Sequence, residues 1–348
     1  MRHTIFAMAL IILMQANVSA ASRTIEFPAT AGWKHAGSGV ILTREIAGLV
    51  RESLADSSTT ELDISAQFRS PDRATLATIY IFRPANNSVP IWFDRSRTMI
   101  ELGDVFGLKG NPIEAQPTAF APIPTGTTSG LKIVYPVPAS NFRSTALALA
   151  PVGEWVLAIR ITSSSLDVPA LDGELVGIIR GIRWPPGLAP APIATPVETC
   201  ETPLPPSKAK MIRNNGANVL MDSVMGIVAA KTIADDPKIR SAPPLPFCRE
   251  PGGVIDYGVY RAVGSTDAYQ IALGDAGVSV LVGPTININS GTPRYSVTLQ
   301  RLDSDLTYPS FNRLPSPEQV TKLINQTGPL SETSRNGNNT NIILSSPK

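Results

Sequence analysis

Histidine is almost absent from this 348-residue chain, which contains only two. One of them, His3, lies in an apolar leader, so His35 is the single imidazole of the remaining residues. A metal site built on two histidines is therefore excluded beyond the leader, and any histidine-based triad would have to use His35. We predict no metal site and no cofactor.

The motifs that mark common hydrolases and nucleotide-binding proteins are also missing. The chain has no GxSxG nucleophile elbow, P-loop, GxGxxG, HExxH or EF-hand loop, and its SxxK match at Ser345 lies in a polar tail. Asp94, Asp303 and Asp305 remain as carboxylates that could serve a hydrolase. We expect a protein that is not an enzyme and keep a carboxylate-using hydrolase as the alternative.

The chain also lacks a large excess of either charge, because its 30 basic residues nearly balance its 28 acidic ones. The formal net charge of +2 offers no electrostatic footprint for nucleic acid or an anionic membrane surface. We therefore expect no nucleic-acid partner.

The first 20 residues have the pattern of a cleavable secretory signal peptide. Arg2 precedes an apolar run from Ile5 to Met14, and the small residues Val18 and Ala20 suit a cleavage site. The apolar run is about ten residues, roughly half of what a membrane-spanning helix needs. We expect cleavage after Ala20, no integral membrane segment beyond it, and a periplasmic location, with secretion as the alternative.

Only two cysteines are present, Cys200 and Cys248. An exported chain reaches an oxidising compartment, where such a pair usually closes into a disulfide. The pair lacks the CxxC spacing of redox motifs. We predict a structural disulfide.

Residues 21–184 have the patterns of an α+β domain. Glu61 to Phe68 alternates polar and apolar residues like a half-buried strand, and Thr75 to Arg83 suits its hairpin partner. Residues 90–102, and a segment that begins at Asp167, have the spacing of amphipathic helices. Three further strands are predicted between them, at residues 131–137, 143–150 and 154–162. The pattern predicts an antiparallel sheet covered by helices.

The remaining residues predict a linker and a smaller second domain. Residues 185–251 begin with a proline-rich stretch, which predicts a stiff linker with a helix at about 211–233. Four strands and a short helix capped at Ser316 predict a four-stranded antiparallel β domain over residues 252–326. Residues 327–348 are polar and lack aromatic side chains, so we expect disorder there.

The order of elements in the first domain resembles that of the PsbP and DcrB families of exported accessory proteins. Gly32-Trp33 precedes strands, a helix, antiparallel strands and a closing amphipathic helix, and the best local match runs from Phe142 to Trp184. The resemblance implies a PsbP-like α/β sandwich and a non-enzymatic assembly or binding role. It transfers no site residue.

Two short segments are candidates for ligand binding. Trp33 and His35 open a glycine-punctuated loop that could line a pocket, although a surface histidine is the simpler interpretation. Trp92 and Arg95 could mark a binding edge, although core packing explains the apolar stripe that begins at Trp92.

These observations favour an exported protein that binds another envelope protein through an exposed sheet face or edge. Two alternatives stay open. One is an envelope hydrolase that uses the aspartates above, and the other is a carrier of a small apolar ligand, which would need an enclosed apolar cavity.

Overall fold

The chain is mostly β. The structure, a computed structural model, describes residues 22–28, 30–58, 60–103, 105–108, 115–138, 140–205, 207–212, 216–221, 223–224, 245–252, 254–286, 291–336 and 339–344. These residues form 20 strands in three sheets and three helices of ten or more residues. The predicted leader, residues 1–20, lies outside the described residues.

The first sheet has nine strands and contains the predicted hairpins. The first eleven strands of the chain are β1 Arg23–Thr24, β2 Trp33–Lys34, β3 Ile41–Leu42, β4 Glu45–Ile46, β5 Leu49–Asp56, β6 Asp63–Arg69, β7 Thr75–Phe82, β8 Thr118–Phe120, β9 Gly130–Pro136, β10 Ser144–Val152 and β11 Trp155–Ser163. The long strands of the first sheet follow the order β5-β6-β7-β11-β10-β9, and the short strands β1, β4 and β8 complete its two edges. A separate pair, β2 and β3, forms a small second sheet.

Two short helices pack against opposite faces of the first sheet. Helix α1 spans Val89–Leu102 and helix α2 spans Val168–Gly181, close to the predicted bounds. The α2 helix begins after Asp167, whose side chain accepts a hydrogen bond from the Ala170 N–H at 3.1 Å and caps the first turn. Apolar residues of α2 join one hydrophobic core and those of α1 join another, so β10 and β11 are buried on both faces.

The third sheet is a nine-stranded meander in which each strand pairs with its neighbours in chain order. Its strands are β12 Glu198–Thr199, β13 Phe247–Arg249, β14 Tyr257–Ala262, β15 Tyr269–Leu273, β16 Val278–Ile286, β17 Pro293–Gln300, β18 Ser304–Phe311, β19 Ser331–Asn336 and β20 Asn339–Leu344. All pairs are antiparallel except that of β12 and β13. Helix α3, Pro317–Gln326, begins with the predicted capping box at Ser316 and packs Val320 and Leu323 into the sheet core.

The predicted fold class, an α+β fold with a helix-covered PsbP-like α/β sandwich followed by a smaller four-stranded β domain, is wrong. The described residues form 20 strands in three sheets and only a few short helices. Strands β12 and β13 lie within the predicted linker, and β19 and β20 lie within the tail where we expected disorder. These segments lack strong hydrophobic alternation, yet they pair through backbone hydrogen bonds with strands already in the sheet. Of the predicted helix at 211–233, residues 216–221 and 223–224 are helical, and the remainder lies outside the described residues apart from residues 211 and 212.

The predicted disulfide is confirmed. Cys200 and Cys248 are bonded and both are buried, so the bond ties the segment after β12 to β13. The large sheets also share a hydrophobic core, since Tyr260 and Ala272 of the third sheet pack with apolar residues of α1. Within the described ranges, we find no helix with the length and hydropathy needed to cross a membrane.

Candidate functional site

A cleft of about 470 Å³ opens where the loop after β2 meets the connection between β5 and β6. We call it the His35 pocket. Its volume falls within the range of small-molecule sites. Three lining residues come from the loop that the sequence predicts as a pocket wall. The lining consists of Arg23, His35, Ala36, Gly37, Thr60, Glu61, Leu62 and Trp155.

His35 lies at the buried side of this pocket with no exposed surface. The Ser38 N–H donates to Nδ1 at 3.1 Å, so Nδ1 carries no proton, and the assigned tautomer has Nε2–H donating to the Glu61 carbonyl at 2.9 Å. Burial lowers the pKa of His35, which keeps the ring neutral. The interpretation as a surface histidine is wrong, because the ring is fully buried. Its hydrogen bonds connect its own loop, at Ser38, to the β5–β6 connection, at Glu61.

Trp33 and Trp155 both pack against the imidazole. The ring centroid of Trp33 lies 5.6 Å from that of His35, and Trp155 meets His35 edge-on at 4.5 Å. Trp33 is buried and does not line the pocket, whereas Trp155 does. A Cβ on Gly37 would lie 2.3 Å from the Trp155 ring, so glycine is required where the loop crosses the indole.

Glu61 holds an unusual backbone conformation at the pocket. Its φ of +58° lies in the left-handed region, which costs a residue with a Cβ about 1–2 kcal/mol. The Asp56 carboxylate accepts from the Glu61 N–H at 3.1 Å, while His35 donates to the Glu61 carbonyl. Two buried side chains therefore fix both backbone groups of Glu61 and hold it in this conformation.

Two charged side chains line the pocket, Arg23 and Glu61. Arg23 pairs with the fully buried carboxylate of Asp56 at 3.3 Å. At the start of β6, burial and then the charge of Asp56 raise the pKa of Asp63 to about 6. The lining therefore has one basic side chain, Arg23, which pairs with the carboxylate of Asp56, and one acidic side chain, Glu61.

The structure places Trp92 and Arg95 away from this pocket, on helix α1 between the two large sheets. Trp92 is buried, and its Nε1–H donates to the Asn86 carbonyl at 2.5 Å. The guanidinium of Arg95, 1% exposed, donates to the carbonyls of Val254, Ile255 and Gly274 at 3.2, 2.6 and 2.9 Å. The two predicted segments therefore do not form one site, and Arg95 joins the third sheet to the first.

Asp94 belongs to the same contact. Its carboxylate accepts from the Tyr260 hydroxyl at 2.6 Å and from Arg249 at 3.2 Å, so it is committed to structural partners. Asp303 and Asp305 lie at the start of β18, and neither lines the pocket. The structure brings none of these three aspartates to the His35 pocket.

Strand β20 is an edge of the third sheet with no further strand paired to it among the described residues, and the sequence interpretation missed it. It pairs with β19 and ends the strand order. Its residues, Asn-Thr-Asn-Ile-Ile-Leu, include no charge and no proline, and Ile343 and Leu344 are 62% and 48% exposed. Backbone N–H and C=O groups on the outer side of such an edge can pair with another strand.

The described part of the chain contains no group of three or more metal-ligating side chains placed to hold a metal ion. Comparison of the chain with protein-family models, with curated proteins and with solved structures finds no match.

Proposed function

We propose that this protein is exported to the bacterial periplasm, is not an enzyme, and binds an extended segment of another envelope protein by strand addition to β20. The edge of β20, to which no other strand of the described residues pairs, carries this proposal. Natural sheet edges are usually protected by lysine, proline, a bulge or a covering segment, and β20 contains neither lysine nor proline. Backbone pairing would supply affinity, and the exposed Ile343 and Leu344 would supply apolar contacts.

The sequence of β20 favours another protein over a second copy of this chain. Full-length antiparallel self-pairing would set Asn341 opposite Ile342 and Thr340 opposite Ile343, so that the polar half of each strand faces the apolar half of the other. Cross-strand pairs are most stable when side chains of matching polarity oppose each other. A partner strand with apolar residues opposite 342–344 avoids this mismatch.

Export is supported by the leader pattern and by the buried disulfide between Cys200 and Cys248, a bond found mainly in oxidising compartments. A non-enzymatic role is supported by the engagement of His35 and Asp94. Both nitrogens of His35 hold backbone groups, and Asp94 is paired with Arg249 and Tyr260.

The test is site-specific crosslinking in intact cells. A photo-crosslinking residue replaces Asn341 in the full-length chain, and the envelope fraction is purified by affinity and examined by mass spectrometry. Ile343→Lys on top of this substitution places a charge on the edge, and Val263→Lys is the matched control because Val263 is 61% exposed but lies outside β20.

We expect one reproducible partner that is crosslinked equally in the Val263→Lys chain and at least about fivefold less in the Ile343→Lys chain. Recovery of no partner, equal recovery with Ile343→Lys, or a crosslink only to a second copy of this chain would each overturn the proposal.

A further inference from the structure

The His35 pocket is a site of a different kind from the β20 edge. We propose that it binds a small organic cation, an amine or a quaternary ammonium group, between the Glu61 carboxylate and the Trp155 indole. The proposal does not depend on the strand-addition function.

The charge balance favours a cation. Arg23 contributes the positive charge at the pocket, and the buried carboxylate of Asp56 neutralises it at 3.3 Å. Glu61 then remains as the lining carboxylate whose charge is not paired among the described residues. A partly enclosed cleft with a surplus of one charge sign concentrates ligands of the opposite sign.

The placement of Glu61 gives the site its geometry. The Asp56 carboxylate and the His35 ring hold its backbone in the left-handed region at φ +58°. No ion pair of Glu61 is present among the described residues. Maintaining a strained residue with a charged side chain at a pocket is typical of functional sites.

Trp155 provides the aromatic partner. Its indole is held by edge-on contact with His35 at 4.5 Å and by the close approach of Gly37. Trp155 and Glu61 line the same pocket. An aromatic ring attracts an ammonium group and a carboxylate pairs with its charge. A bound metal ion is not supported, because the part of the chain that the structure describes lacks a cluster of three metal ligands.

Isothermal titration with tetramethylammonium chloride at constant ionic strength tests the proposal. The disulfide-intact protein is compared with Glu61→Gln, which removes the charge, and with Glu61→Gly, which removes the side chain and accepts a positive φ. Glu45→Gln is the matched control, because Glu45 is an exposed glutamate outside the pocket. Neopentyl alcohol serves as an uncharged ligand of similar shape.

We expect saturable binding of tetramethylammonium that weakens about tenfold in Glu61→Gln and changes less than about twofold in Glu45→Gln. Glu61→Gly should lose binding while its melting temperature stays at or above that of the parent protein, which separates a binding role from a structural one. Absence of saturable binding, equal binding of neopentyl alcohol, or unchanged affinity in Glu61→Gln would overturn the proposal.

Discussion

Replacing Asp63 with asparagine is expected to stabilise the protein at neutral pH. Burial, and then the charge of Asp56, raise the pKa of Asp63 from its ordinary 3.8 to about 6. A rise of two units corresponds to about 3 kcal/mol of preference for the neutral form. Because Asp63 keeps partial exposure and water screens its charge, we expect about 2 kcal/mol at pH 7.

The sign follows from proton binding. Between pH 3.8 and about 6 the folded state holds more protons on Asp63 than the unfolded state does, so this residue lowers the free energy of unfolding as pH rises through that window. Above pH 6 the penalty is complete. Asp63→Asn removes it, so the stability difference between the two proteins should be near zero at pH 4 and largest at pH 7.

Guanidinium denaturation followed by circular dichroism at several pH values measures this difference. Asp72→Asn is the control with the opposite sign, because hydrogen bonds from the Ser70 hydroxyl and the Ala74 N–H lower the pKa of Asp72. That substitution should destabilise the protein at pH 7 and lose its effect as pH falls through the range where Asp72 is protonated. A difference for Asp63→Asn that is negative or independent of pH would refute the reasoning.

Three further perturbations test other parts of the fold. Reduction of the Cys200–Cys248 bond should lower the free energy of unfolding by about 4 kcal/mol in the chain-entropy treatment, because the two cysteines are 48 residues apart. Equal denaturation midpoints with and without dithiothreitol would contradict this. Arg95→Met removes the hydrogen-bond donor from three carbonyls and should lower the free energy of unfolding by about 3 kcal/mol. Calorimetry should then show separate transitions for the two large sheets. An unchanged single transition would show that Arg95 does not join them. Gly37→Ala should destabilise the protein by about 2 kcal/mol, because the added Cβ would contact the Trp155 indole. Gly173→Ala, at a helical position with open space around it, should stabilise the protein by about 1 kcal/mol. Equal melting temperatures of the two variants would contradict both expectations.

Local patterns predicted most of the individual elements of the first sheet. The alternation predicted from Glu61 to Phe68 matches β6 from Asp63 onward, whereas Glu61 lies before the strand in a left-handed conformation. The helices that begin near residue 90 and after Asp167 are present. The fold class could not be predicted in the same way. Strands β12, β13, β19 and β20 are short or polar, and their pairing depends on neighbours that are already in the sheet.

The pocket was predicted only in part. A glycine-punctuated loop suggested a pocket wall, and the loop does line the His35 pocket. The left-handed conformation of Glu61 could not be predicted from the residues around it, because it depends on His35, which lies 26 residues earlier in the sequence. Arg95 is similar, since its acceptor Gly274 is 179 residues away.

By itself, the sequence determined the features that depend on neighbouring residues, namely strand alternation and the helix caps at Asp167 and Ser316. It also determined the disulfide, because only two cysteines are present and no other pairing within the chain is possible. The tertiary structure alone decided which polar groups are buried and what they contact. His35 and Arg95 illustrate the reason. A buried polar group must find a hydrogen-bonding partner, and folding brings that partner from a distant part of the chain.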